Sequence, residues 1–472
     1  MVLEPRAERI ERDALGELHV PADAYYGAAT ARSLEHFAIG TEHFPLRIIR
    51  ALARIKRAAA EINAELGLLD PTLAAGIVAA AGEVVDGLHD AEFPLSVYQT
   101  GSGTQSNMNV NEVIAGRANE QLAGARGGKA PVHPNDHVNL GQSSNDVVPA
   151  AVHLATVEAL TDELIPALFA LLRALEAKRD AWADLPMLGR THLQDALPLP
   201  LGAWIGAHAS ALAAGRERLL AARDGLYPIA LGATAVGTGL NAHPDFGRRV
   251  VARLARESEH RYTLATDPFA ALAGAEPALA LSAALRGLAV SLRRLADDVR
   301  LLASGPRGGL GELRLPVNEP GSSAMPGKVN PTQAEALIMV ALQVHGLDAA
   351  IAQAASAGAL QLNTARPLIG ANLLTMIRLL ADGSRSFAAY CVEGMEPDRG
   401  RIAEHLTHSL MSVTALVPTL GYDRAAAIAH DAEARGVTLR EAALAAGVDA
   451  ATFDTLTDPA TLARPHLDRR GR

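Results

Sequence analysis

At 472 residues the chain has room for about three domains and a large core. With 49% hydrophobic but only 4% aromatic residues, burial falls to Ala, Leu, Val and Ile, which favours packed helices over a β-sandwich. A net charge of −9 with no Lys/Arg-rich run argues against a nucleic-acid partner, and the single cysteine, Cys391, excludes a disulfide framework or a cysteine-rich zinc site. The opening stretch MVLEPRAERIERDALG alternates charges without the apolar run of a signal peptide, so a cytoplasmic location is expected.

In chain order, the first chemically dense segment is QTGSGTQSNMNVNE at residues 99–112, rich in hydroxyl and amide donors. His133 and His137 are spaced as two metal ligands would be, yet Pro134, Asn135 and Asp136 between them predict a loop, and no cysteine joins them; no metal is expected. GQSSNDVVP at 141–149 sets Ser143, Ser144, Asn145 and Asp146 just before a helical stripe, at a helix N-terminus able to receive a carboxylate. Asp146 itself would oppose an anion, so a cap and a site role both stay open for it. The stripe Val157, Leu160, Leu164, Leu168, Leu171 and Leu175 predicts a packed helix, with Glu158, Asp162 and Arg173 on its other face and a bend at Pro166.

GRTHLQDA at 189–196 carries His192, whose imidazole suits proton transfer near neutral pH. Residues 196–215 are uncharged, but Pro198, Pro200, Gly202, Gly206 and His208 argue against a membrane span. Over 225–244 glycines and prolines break both periodicities and predict a buried, irregular connection. Leu281, Leu285, Leu288, Leu292, Leu295, Val299 and Leu302 then alternate steps of four and three, predicting a long packed helix.

GSSAMPGKVNPTQAE at 321–335 follows: a glycine-bounded loop with Ser322, Ser323 and Lys328, then Asn330 as N-cap, Pro331 at the first helical position and Gln333 closing a box-like cap. Such a helix start with a lysine beside it would hold a small anion. It is no phosphate loop, because five residues separate Gly321 from Gly327 and Val329 stands where Ser or Thr is required. Residues 332–362 are apolar around much of the circumference and predict enclosure by a bundle core shared between subunits. Beyond Pro397, helical patterns at 423–435 and 438–446 predict a small terminal domain, with His405 and His408 on a polar, solvent-facing side.

Taken alone, the dispersed polar segments also admit a non-catalytic reading as buried networks that satisfy one another. A serine hydrolase is disfavoured, since TGSGT around Ser102 is not the GxSxG elbow and no strand-helix alternation supports that scaffold.

Together, TGSGTQSNMN, GQSSND, GRTHLQDA and GSSAMPGKVNPTQAE resemble the signature regions of the aspartase and fumarase superfamily, from about residue 10 into the terminal domain. Aspartate ammonia-lyases typically read GRTQLQDA, so His192 tilts the resemblance towards the class II fumarases and away from amine expulsion, while the intact set Ser322, Lys328, Asn330, His192 and Glu335 argues against a silent scaffold. The resemblance implies an all-α subunit of three domains, 1–141, 142–395 and 396–472. Its central long-helix bundle would pair into a homotetramer whose active sites draw the signature regions from different subunits. It further implies reversible hydration of fumarate to L-malate, with a small dicarboxylate as the only ligand and neither cofactor, metal, nucleic acid nor membrane.

Carried over by motif, Ser322 would be the general base and His192 the acid, oriented by Glu335, with Lys328 stabilising the carbanion. Ser102, Gly103, Thr104, Ser143, Ser144, Asn145, Thr191, Ser323, Lys328, Val329 and Asn330 would bind substrate, and Asn107 and Gln142 are further candidates. His133, Pro134, Asn135 and Asp136 match a second anion site outside the catalytic centre. Just upstream of it, Ala130 replaces the arginine of several fumarases.

Overall fold

A computed structural model describes residues 7–321, 323–358 and 360–464. Its contacts divide the chain into two compact units, one of Met1–Leu164, Glu217–Gly287 and Gln343–Leu379, the other of Ile165–Arg216, Leu288–Leu342 and Leu380–Arg472. The described residues are predominantly α-helical, and their strands form only two-stranded pairs, so the expected all-α class holds.

The first unit opens with an antiparallel hairpin, β1 (Glu8–Asp13) and β2 (Gly16–Pro21), followed by α1 (Ala28–His36), α2 (Leu46–Glu65), α3 (Pro71–Val85), α4 (Thr104–Ala123) and α5 (Ser144–Ala159). In α2, Ile48, Leu52, Ile55, Ala59 and Ile62 recur at helical spacing and are at most 3% exposed, and the polar Lys56 and Asn63 share that buried face. Ahead of Pro166 the helix takes a π-helical turn, Leu160–Leu164, before α6 (Ile165–Ala181). A proline ring crowds the carbonyl four residues earlier and offers no N–H, and the wider turn relieves both. All six apolar residues of the predicted 157–175 stripe are buried.

In the second unit β3 (Pro186–Thr191) pairs antiparallel with β4 (Gln194–Pro200), which leads into α7 (Leu201–Asp224). The 225–244 segment is irregular as expected. Its burial is nearly continuous only from Leu226 to Thr234; beyond that Gly237 is buried but Val236 and Leu240 are exposed, so mainly its first half is an interior connection. The helices α8 (Phe246–Ser258) and α9 (Pro268–Ala273) belong to the first unit, and the long α10 (Glu276–Leu302), which begins there, buries the whole predicted leucine stripe. Each such side chain contributes about 1.5–3 kcal/mol of transfer free energy.

The next helices are α11 (Thr332–Ser356), α12 (Arg366–Phe387) and α13 (Arg399–His408), and the predicted terminal helices are Tyr422–Arg435 and Leu439–Ala445. The chain does not enclose α11 by itself: Met339 is 63% and Leu342 50% exposed. This helix is long and apolar enough to cross a membrane, yet Asp348 within it is buried, accepting a 2.6 Å hydrogen bond from Ser282 and facing Arg286 at 3.2 Å.

Candidate active site

In the first unit two donor-rich helix starts come together. Gly103, with φ +74°, turns the chain into α4, and a side chain there would meet Val148 of α5 at 2.9 Å. Gly101 passes so close to the Thr364 carbonyl that a Cβ would lie 1.6 Å from its oxygen, so only glycine fits. Ser102 and Thr104 share a 2.7 Å hydroxyl hydrogen bond, and the Asn107 amide donates to Ser144 Oγ at 3.1 Å, tying the first turn of α4 to that of α5. Two positive helix ends thus lie beside hydroxyl and amide donors, an arrangement that favours a carboxylate.

Asp146 settles as a cap. Ser143 and Asp146 form a reciprocal capping box, and the second carboxylate oxygen of Asp146 accepts from the Gly232 and Thr234 amides, both at 3.0 Å. Desolvation raises its pKa to about 6 against the pull of the backbone donors. The amide of Asn145 donates to the Ala235 carbonyl at 2.8 Å, so that substrate-binding candidate is already oriented. Gln142 donates to the Val138 and Leu140 carbonyls within the adjoining turn.

The candidate second anion site is a π-helical turn, Pro134–Val138, where the sequence predicted a loop. His133 caps it, its Nδ1 accepting from the Asn135 and Asp136 amides, and desolvation lowers its pKa. Nδ1 is therefore committed, and Nε2 is the nitrogen left to meet a ligand. Asn135, Lys129 and Pro134 border a cavity of about 330 Å³ shared with Arg12 and Glu112.

In the second unit, Thr191 pairs with Gln194 across a two-residue turn whose central residues, His192 and Leu193, have φ +56° and +61°. This is the hairpin turn that normally takes Asn-Gly, and non-glycine residues hold it at a cost of about 1–2 kcal/mol each. His192 thus sits on an exposed turn tip. Below it, Arg190 grips Glu312 at 2.7 and 3.1 Å, and His405 of α13 joins the same carboxylate at 2.6 Å. His405 is therefore not the solvent-facing residue its sequence position predicted: Glu312, fully buried, draws it in. Sequence reading missed Glu312, which lies 122 positions from its arginine partner with no motif around it.

Ser322, the base candidate, lies outside the described residues. Ser323, Lys328 and Val329 are exposed and Asn330 half-buried. The expected cap shifts by one turn position, because α11 begins at Thr332, whose hydroxyl donates to Glu319 at 2.8 Å, while Gln333 accepts from Ser386 at 2.7 Å. Glu335 stands exposed in the first turn of α11, where an acid complements the helix dipole. Among the described residues, no side-chain hydrogen bond or ion pair engages His192, Lys328 or Glu335, and the chain does not hydrogen-bond His192 to Glu335.

This all-α chain belongs to the lyases: residues 16–346 match the family described as Lyase and residues 413–464 the one described as Fumarase C C-terminus. It is 55% identical to the class II fumarate hydratase of Thermosynechococcus vestitus, over 94% of this chain and 96% of that protein. With the class II fumarate hydratase of Chromobacterium violaceum the identity is 56%, over 96% and 98%. Among solved structures, class II fumarase from Schistosoma mansoni superposes with a TM-score of 0.95 at 42% identity, covering 98% of this chain and all (100%) of that one. The chain belongs to the class II fumarate hydratase family of lyases.

Proposed function

We propose that this chain interconverts fumarate and L-malate, using a site completed by other copies of itself in a homotetramer. The observation that carries the reading is the joining of the α4 and α5 starts through Asn107 and Ser144, which brings together donors from one of the signature segments on each helix. In this mechanism Ser322, as an alkoxide stabilised by Lys328 and neighbouring backbone amides, takes the C3 proton of malate to become the hydroxyl, and the carbanion's charge spreads into the adjacent carboxylate. Lys328, Asn330 and the helix-start donors, Ser102, Thr104, Ser143, Ser144 and Asn145, stabilise the dianion as it develops. His192, oriented by Glu335, protonates the departing hydroxide directly or through a water. Thr191 and Ser323 flank these groups, and His133–Asp136 would form the second anion site.

Two features support sharing between copies. The exposed apolar face of α11 needs a cover, and His192, Lys328 and Glu335 all stand exposed and without side-chain partners among the described residues. The reading includes a cytoplasmic enzyme and the domain segments 1–141, 142–395 and 396–472. Absorbance of the fumarate double bond tests the reaction. A rise with L-malate and none with L-aspartate is expected, and a rise with aspartate alone would make the chain an ammonia-lyase.

A further inference from the structure

Lys56 is fully buried on the core face of α2, an expensive place for a cation unless it does something there. Its ammonium donates to Asn139 Oδ1 at 2.8 Å, and the same oxygen accepts from the Asn107 amide at 3.3 Å. That amide's other proton goes to Ser144 Oγ at 3.1 Å. The three links run from the interior to the start of α5, all within the first unit.

A charged lysine has donors only, and this fixes the direction of every bond beyond it. Asn139 must turn its carbonyl oxygen towards Lys56, so Asn107 must present its NH2 to that oxygen. Both Asn107 protons are then committed, one of them to Ser144, whose oxygen becomes an acceptor and whose hydrogen is left to point elsewhere. The Asn107 carbonyl oxygen is left buried without a partner. Such an orphan costs about 1–3 kcal/mol, so the amide is held this way by its neighbours and not by its own best pairing.

We infer that Lys56 is a positioning residue for the dicarboxylate site: through Asn139 and Asn107 it sets the Ser144 hydroxyl as a donor towards a substrate carboxylate. The inference rests on the proposed function and adds a residue that no site motif contains. Burial pulls the Lys56 pKa down to about 7, with Asp146 opposing the shift, so a bound anion nearby would help hold the lysine in its charged form.

The test is a double-mutant cycle of Lys56→Met and Ser144→Ala in the full-length enzyme, reading KM and kcat for L-malate, with circular dichroism and solution mass confirming the assembly. Lys56→Met should raise KM about tenfold with kcat changed less than about threefold. In the Ser144→Ala background the same substitution should move KM less than about twofold. Asn139→Ala, which removes the oxygen linking Lys56 to Asn107 and leaves both in place, should reproduce this pattern if Lys56→Met does not fold. Equal KM effects in both backgrounds, or a loss confined to kcat, would overturn the inference while leaving the hydratase reading intact. A wild-type enzyme silent with malate would overturn the hydratase reading, and the inference with it.

Discussion

The helix starts around Ser102 and Ser144 and the exposed groups around His192 and Lys328 are held in opposite ways. The first are tied together within one chain: Ser102 to Thr104, Asn107 to Ser144, Asn145 to Ala235, Asp146 to three backbone amides. The second are held up but not engaged, with His192 on a strained hairpin tip and Lys328 and Glu335 on the surface at the approach to α11. A donor cluster that must hold a carboxylate gains from being fixed before the ligand arrives. In the proposed reaction, the groups that transfer a proton, orient its donor or stabilise charge gain from being presented to a partner that completes their surroundings.

The contrast predicts different losses. His192→Asn should lower kcat by about 100- to 10,000-fold, the range for losing a general acid. Asn adopts positive φ more readily than His, so the same variant should be as stable as the parent or up to about 1 kcal/mol more so in denaturant melts. Retained turnover, or a large loss of stability, would erase the distinction between the two regions.

Asp146→Asn sharpens the comparison from the other side, because it replaces one of two acceptor oxygens by an NH2 that cannot accept, so either the tie to Ser143 or those to Gly232 and Thr234 are lost, which should cost about 1–3 kcal/mol. The wild-type pKa of about 6 lies above the carboxylate's unfolded value. Its contribution is therefore fully present below about pH 4 and is lost as pH rises through 6. The stability gap between wild type and Asp146→Asn should thus be wider at pH 4.5 than at pH 7. An equal gap at both would place the perturbation elsewhere.

Much of this was legible in the sequence where the signal is local. The stripes at 157–175 and 281–302 fix buried faces by helical spacing, and Ser143 to Asp146 read as a helix start because capping chemistry acts over three residues. The hairpin tip was not legible, since His192-Leu193 carries none of the Asn-Gly signal that such a turn usually needs. Nor were the Arg190–Glu312–His405 cluster and the Lys56–Asn139 bond, whose members are brought together only by tertiary packing. Lys56 did sit in phase with the apolar face of α2, and a charged residue at a core position is the one local hint the sequence offered.

Complementation tests most directly whether the exposed groups act in a site shared between copies. His192→Asn and Lys328→Ala, each purified and inactive, would be unfolded together, refolded as a mixture and assayed with L-malate beside each variant refolded alone. If sites draw His192 and Lys328 from different chains, some sites in mixed tetramers contain both native residues, and activity should return to a substantial fraction of wild type. Mixed tetramers, confirmed by mass, that stay as inactive as their parents would show that one chain supplies both residues.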